Sequence, residues 1–362
     1  MAGRQRIDRV RRQYNQWVAN QTLEDYALRF TAKSARRWSA ARVANTALGA
    51  ISFLALEAIG AAVTLKYGMG NATAAILVVG VIIFACGLPI AYNAARHGVD
   101  IDLLTRGAGF GYIGSTVTSL IYASFTFIFF AIEAVILSEA LELCVGLPLP
   151  IGYFVSAVVI IPLVTYGITL ISRFQLLTQP FWIVLNILPF LAIAYKDSGA
   201  FSDWTRFSGS NGDPSGGLDL MLFGSAAAVV FALVAQIGEQ VDFLRFLPRD
   251  RGASARSWWI ALLSAGPGWI VIGVLKLLAG SFLAYFALRN GVARQDAGAP
   301  AHMYLAAFRY ALPTPGLALA FTGAFVVLSP KCELWPSKFF TSVTRLKAPT
   351  PRRIPRNSMR RP

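Results

Sequence analysis

The sequence predicts an all-α polytopic membrane protein. Of its 362 residues, 56% are hydrophobic and only 14% are charged, whereas a soluble domain averages about 25% charged residues. The mean hydropathy is +0.55. Most of its apolar runs are about 20 residues or longer, which is enough for a helix to cross ~30 Å of hydrocarbon at 1.5 Å per residue.

Apolar runs divide the chain into three regions. A basic segment, residues 1–42, is followed by a transmembrane domain of about eight helices, residues 43–329, and then by a basic, Pro-rich tail, residues 330–362. The runs cover residues 43–65, 72–95, 113–141, 151–171, 176–195, 218–241, 257–287 and 316–329. The last run is short for a comfortable crossing. The tail combines many prolines and Lys or Arg residues with a single acid, so it is predicted to be disordered.

The net charge of +15 lies between the apolar runs and at the two chain ends, which argues against a nucleic-acid partner. With the N-terminus in the cytoplasm, most of the 33 Lys and Arg residues fall on the cytoplasmic side, as the positive-inside rule requires. The sequence therefore predicts a multi-pass protein of the inner (plasma) membrane lipid bilayer with a cytoplasmic N-terminus. No cleavable signal peptide is predicted, because no short apolar segment follows the basic N-terminal region.

Two apolar runs contain glycine and carboxylates. Residues 218–248 begin as an apolar run and become polar around Gly238 and Glu239, while the first run contains Glu57 and Gly60. Such residues must line protein or water rather than hydrocarbon. Two Gly-interrupted helices, one in each half of a chain, indicate a transporter binding site. For Glu239, which lies near the end of its run, a solvated interfacial role is an equally good interpretation.

The third run carries a polar face, which predicts the wall of a cavity. The members of this face lie within about 80° of arc at ~100° per residue, and they are Ser115, Ser119, Tyr122, Thr126, Phe129 and Glu133. A carboxylate in mid-membrane costs ~2.5–3.5 kcal/mol on insertion scales, so Glu133 is a candidate site residue; the alternative is a hydrogen bond between helices. Lys276, inside the seventh run, needs a partner, and we expect it to pair with Glu57, Glu133 or Glu239.

Catalytic, metal and cofactor sites are not predicted. The GxGxxG pattern at residues 109–114 lacks the preceding strand that a dinucleotide site requires, so its glycines are interpreted as a tight turn. The three cysteines form no CxxC pair, and the two histidines have no His or Cys four residues away. Without a Ser/His/Asp or Cys/His constellation, we expect the protein not to be an enzyme.

Two motifs resemble a known family. Residues 99–115, which end in Phe110-Gly111 and Gly114-Ser115, resemble the R-x-x-F-G-x-x-G-S stretch between helices two and three of the nucleobase:cation symporter-1 family, which includes purine, cytosine, allantoin and hydantoin permeases. Residues 241–246 are similar to its P-D-F-x-R-F signature after helix six. The resemblance covers residues 20–329. It implies the leucine-transporter-like inverted-repeat fold, with substrate bound in mid-membrane between broken helices one and six and helices three and eight.

The resemblance also implies site residues and a function. In the family's hydantoin permease an aromatic residue and a Gln four positions later on helix three bind the ring, and Phe129 and Glu133 have that spacing here; the Glu leaves ring selectivity and a proton-coupling role open. Helix six would contribute Ala232 and Leu233, and helix one would contribute Glu57 and Gly60. The implied function is a cation-coupled symporter of nucleobase-like small molecules such as cytosine, purines, allantoin or hydantoin. The coupling ion would be H⁺ or Na⁺, with no cofactor; the alternative is a membrane module that senses a ligand without transporting it.

The end of the chain departs from the family. Ser329 is followed by Pro330 and Lys331, where the family's helix eight continues with residues that bind sodium and substrate. Helices nine and ten of the inverted repeat are not found in the sequence, so the expected fold is incomplete. We interpret the tail as a shifted reading frame or a chimeric end, against the alternative of a genuine cytoplasmic tail, and expect this chain alone to transport poorly or not at all.

Overall fold

The computed structural model describes residues 31, 36, 38–49, 51–165, 167–211, 217–248 and 255–328. Most of the basic segment 1–42 and all of the predicted disordered tail lie outside these residues. Every regular element in the described part of the chain is a helix, so the all-α prediction is confirmed.

The helices follow one another with short connections. In chain order they are α1 (Ala40–Gly49), α2 (Ala55–Tyr67), α3 (Met69–His97), α4 (Ile101–Thr105), α5 (Gly111–Val145), α6 (Leu149–Thr165), α7 (Gly167–Lys196), α8 (Gly199–Thr205), α9 (Leu220–Phe231), α10 (Ile237–Leu244), α11 (Ala255–Ala265), α12 (Trp269–Arg289), α13 (Pro300–Ala311) and α14 (Pro315–Leu328). A π-helical turn, Arg106–Phe110, joins α4 to α5, and a 3₁₀ turn, Ala232–Gln236, joins α9 to α10.

Five helical stretches of the described chain are long and apolar enough to cross a membrane. They are Met69–His97, Ile113–Val145, Leu177–Lys196, Leu220–Leu244 and Arg256–Arg289. The first predicted run is not among them because it is divided into α1 and α2, of 10 and 13 residues. The eighth run forms α14, whose 14 residues make it as short as the sequence predicts.

The first apolar run is interrupted at residues 51–54, between α1 and α2. Ser52 and Phe53 in this interruption are at most 2% exposed, so their backbone polar groups need partners within the protein. The Ser52 hydroxyl donates to the carbonyl of Gly49 at 2.8 Å. This interruption lies one turn before Glu57. Gly60, near which the sequence predicts the break, lies inside α2.

Helices α2 and α12 pack with their backbones in contact. A Cβ at Gly60 would lie 1.9 Å from the carbonyl oxygen of Leu277, and a Cβ at Gly280 would lie 2.0 Å from that of Glu57. Any side chain at either position would overlap backbone atoms of the other helix. Gly60 is thus required for helix packing. Together, Gly60 and Gly280 determine which part of α12 lies next to Glu57.

The connection after α12 contains a short helix, which the semi-polar sequence of residues 289–315 predicts at residues 301–312 as a helix at the membrane interface. Helix α13 begins with Pro300, a favoured first residue because its missing N–H would have no partner there. Its buried side chains include Tyr304 and Phe308, and the Tyr304 ring lies 4.2 Å from that of Phe325 on α14. At the other end, Lys196 Nζ donates to the carbonyls of Tyr310 and Ala311, a stabilising place for a cation. Helix α13 therefore packs into the protein interior rather than lying free at its surface.

Candidate functional site

Helix α5 contacts the interruption at residues 51–54, which we call the helix-one interruption, and the 3₁₀ turn Ala232–Gln236 with the start of α10, which we call the helix-six interruption. Near its middle, the Phe129 ring lies edge-on to Phe53, with ring centroids 5.5 Å apart. Two turns earlier, Tyr122 packs against the start of α10, where a Cβ on Gly238 would lie 2.8 Å from the Tyr122 ring. The two interruptions and one face of α5 thus form the candidate site, in the place that the polar face of the third run predicts.

Glu133 joins α5 to the start of α2. Its Oε1 accepts a hydrogen bond from the backbone N–H of Ala55 at 2.8 Å, and the N–H of Leu54 also interacts with it. Both N–H groups lie at the N-terminus of a helix, where they lack intrahelical partners and where negative charge is favoured. The side chain is only 5% exposed. Glu133 therefore makes the helix–helix hydrogen bond that was its alternative interpretation, and it does so at the predicted binding site.

Phe129 lies one turn before Glu133 on the same face of α5. It is 4% exposed and also packs on Phe125, with ring centroids 4.3 Å apart. Phe129 and Glu133 therefore lie together beside Phe53 and Ala55 of the helix-one interruption. An aromatic face and a carboxylate at this spacing can stack on a planar ring and accept a hydrogen bond from its edge.

Lys276 pairs with Glu57, one of the three partners that the sequence predicts. The Nζ–Oε1 distance is 2.6 Å, and both side chains are almost fully buried. The Lys276 ammonium also lies 4.6 Å from the centroid of the Trp182 ring. Glu57 interacts in addition with Asn186 and Tyr304. The charge of each partner is therefore balanced within the protein, as the low dielectric of a membrane requires.

The other predicted site residues have different surroundings. Leu233 is fully buried in the 3₁₀ turn, whereas Ala232 beside it is exposed. Gly60 faces Leu277 of α12. Glu239 is buried and accepts a hydrogen bond from the side chain of Gln236, so its side chain is not solvated at the end of the helix.

The residues that complete the Glu57 cluster are not marked by the sequence as site residues. Trp182 and Asn186 lie four residues apart on the fifth run, so they share a helix face, and this spacing was the available signal. Tyr304 belongs to the predicted short helix, but no local pattern connects it with Glu57. Asn186 Nδ2 donates to the Tyr304 hydroxyl at 3.1 Å, which connects α7, α13 and α2 in one polar cluster.

The two family-like motifs meet in space. Asp100 accepts a hydrogen bond from the N–H of Leu103 at 2.8 Å and so caps α4. From the second motif, Asp242 and Arg245 both act on Asp100, whose burial raises its pKa to about 6. Arg245 is only 1% exposed. The motifs are therefore two halves of one buried charged cluster at the end of α10.

The polar face of α5 continues into the same cluster. The Ser119 hydroxyl donates to Asp102 Oδ1 at 3.0 Å, and Arg106 forms an ion pair with Asp102 at 2.8 Å. Gly109 and Gly111, with φ of 108° and 64°, allow the turn from α4 into α5, as interpreted from the GxGxxG pattern. The polar face thus has two parts: Ser115 and Ser119 at the motif cluster, and Phe129 and Glu133 at the helix-one interruption.

Comparison with known proteins identifies the same fold in a solved structure. The structure is that of Mhp1, a nucleobase-cation-symport-1 family transporter, in a closed conformation with bromovinylhydantoin bound. The TM-score is 0.59 at 14% sequence identity, over 88% of this chain and 70% of that one. No protein-family model and no curated protein matches the sequence. The likeness confirms the predicted leucine-transporter-like fold.

Proposed function

We propose that this chain is a secondary active transporter that moves a nucleobase-like ring across the inner membrane, coupled to H⁺ or Na⁺, with its N-terminus in the cytoplasm. The observation that carries the proposal is the meeting of Phe129 and Glu133 with the helix-one interruption. The fold, shared with a transporter whose structure holds a bound hydantoin derivative, supports the same conclusion.

In this proposal the substrate lies between the two interruptions and against α5. Phe129 stacks on the ring, and Glu133 accepts a hydrogen bond from a ring N–H. A carboxylate has about four lone-pair positions, so the bond from Ala55 leaves capacity for a substrate donor. Leu233 and Ala232 border the site from helix six, while Glu57 and Gly60 border it from helix one.

The experiment is a binding and uptake measurement on the purified full chain. Binding of uracil, cytosine, allantoin and hydantoin is measured in detergent, and uptake of the radiolabelled rings is measured in proteoliposomes under an inward H⁺ or Na⁺ gradient. We expect at least one ring to bind and its uptake to be slow at best, because this chain alone is expected to transport poorly or not at all. Absence of binding by all four would contradict the proposal, and tight binding with no counterflow of the bound ring would favour the ligand-sensing alternative.

A matched pair of variants locates the site. Phe129→Ala removes the ring that contacts Phe53 and should weaken binding by about tenfold or more, since base–aromatic stacking is worth ~1–3 kcal/mol. Phe127→Ala is the control, because Phe127 lies on the same helix but is 50% exposed. Equal losses in both variants would contradict the assignment of Phe129.

A further inference from the structure

The N-terminus of α2 is the part of the candidate site that favours negative charge. The first N–H groups of a helix lack intrahelical partners and carry the positive end of its dipole. In transporters with broken helices, such ends point at the anionic groups of substrates. Helix α2 has 13 residues and begins directly after the buried interruption at residues 51–54, so it has such an end at the candidate site.

In this chain a protein carboxylate already occupies that end. Glu133 accepts the N–H of Ala55 at 2.8 Å across 78 residues of sequence, and the N–H of Leu54 also interacts with it. The carboxylate is 5% exposed and lies beside Phe129. A substrate anion at the same place would have to displace a buried carboxylate or lie against it, and like charges in close contact are costly.

The neighbouring charges offer no compensation to a second anion. Within the described residues, the charged groups that act on Glu133 are Lys276, which attracts it, and Glu57, which repels it. Lys276 is bound to Glu57 at 2.6 Å and lies over the Trp182 ring. The ammonium is therefore held by its own carboxylate, so it does not balance the charge of a substrate anion placed beside Glu133.

We propose that Glu133 sets the charge class of the substrate. The site takes a ring that carries no negative charge and that presents an N–H to the carboxylate, and it rejects the same ring when it bears a carboxylate. This inference rests on the proposed function, and it makes Glu133 a specificity-determining residue in addition to a cap of α2.

The test uses compounds that differ in charge at constant size. Uracil, its 6-carboxylate (orotate) and its 6-carboxamide (orotamide) compete for the site of the purified full chain; the three corresponding hydantoin compounds replace them if hydantoin binds more tightly. We expect orotate to bind on the order of 100-fold more weakly than orotamide, because a like-charge contact costs several kcal/mol. Equal binding of orotate and orotamide, or equal rejection of both, would show that charge does not select the ligand.

Variants assign the selectivity to Glu133. Glu133→Gln keeps the shape of the side chain and an oxygen that can accept the Ala55 N–H. It should lower the ratio of the binding affinity for orotamide to that for orotate by about tenfold or more. Glu142→Gln, on the same helix but exposed, should leave the ratio unchanged. An unchanged ratio in Glu133→Gln would overturn the assignment. The ligand series on the parent chain tests charge selection even if Glu133→Gln does not fold, and absence of binding by every ring would refute the proposed function together with this inference.

Discussion

Lys276 of α12 and Glu57 of α2, 219 residues apart in the sequence, form an ion pair of 2.6 Å that is almost fully removed from solvent. Gly60 and Gly280, each about one turn from the ion pair on its own helix, allow the two backbones to come into contact next to the pair. The pair and the glycine contacts therefore reinforce one another. Helix α2 carries the N-terminus that Glu133 caps, so the ion pair also determines where that N-terminus lies.

Breaking the ion pair on one side should be more damaging than removing it entirely. Lys276→Met or Glu57→Gln leaves one buried charge without its partner and should lower the free energy of unfolding by about 3–5 kcal/mol. The double variant should recover much of that loss, since neither charge remains. Thermal unfolding in detergent measures the series. Lys66→Met, an exposed lysine at the end of α2, is the control, and single variants as stable as this control would contradict the prediction.

Because α2 and α12 approach so closely, adding a single methyl group at Gly60 should lower the stability of the protein strongly. Gly60→Ala would place a Cβ 1.9 Å from the carbonyl oxygen of Leu277. Because backbone atoms cannot rotate away as a side chain can, we expect a loss at or above the ~1–3 kcal/mol usual for overpacking, seen as a lower unfolding temperature. In Gly224→Ala no atom lies within 4 Å of the new Cβ. That change should be neutral or stabilising by up to about 1 kcal/mol, and a similar loss in both variants would refute the packing argument.

Asp100 should make stability depend on pH. Burial raises its pKa to about 6 from 3.8, so the folded protein holds the proton more tightly than the unfolded chain does. The stabilisation from this group is fully present below pH about 3.8 and is lost as the pH rises through about 6. Asp100→Asn keeps an N-cap acceptor for Leu103 and removes the ionisation.

The measurement compares the free energy of unfolding of Asp100→Asn with that of the parent chain at several pH values. At pH 7.5 we expect Asp100→Asn to be more stable by about 1–3 kcal/mol, and the difference should shrink as the pH falls from 6 to 4. The groups that act on Asp100 in the described chain are Asp242 and Asp102, which raise its pKa, and Arg245, which lowers it. A difference that is constant over this pH range would show that Asp100 does not titrate there.

The helices could be predicted from the sequence, and candidate site residues could be proposed from it, because both depend on local features. Apolar runs mark helices directly, and a carboxylate such as Glu133 in mid-membrane is conspicuous. The position of the helix-one interruption was not predictable, since Ile51, Phe53 and Leu54 are as apolar as the helix around them. The N-terminus of the helix that follows is capped by Glu133, which is 78 residues away from Ala55. Gly60 predicted an interruption of the helix at the wrong position, because this glycine allows α2 to pack against α12 and lies inside a continuous helix.

The contact between Tyr122 and Gly238 predicts how α5 controls the helix-six interruption. A Cβ at residue 238 would lie 2.8 Å from the Tyr122 ring, so Gly238→Ala should push α10 away from α5 and lower both unfolding temperature and ring binding. The obstacle is a side chain, so a smaller residue at 122 can make room. Tyr122→Leu should therefore be less harmful in the Gly238→Ala background than alone, which a double-mutant cycle on stability and binding would show as a coupling of about 0.5–3 kcal/mol. If the effects of the two substitutions on stability and binding are strictly additive, Tyr122 and Gly238 are not coupled. The helix-six interruption is then positioned by its other neighbours.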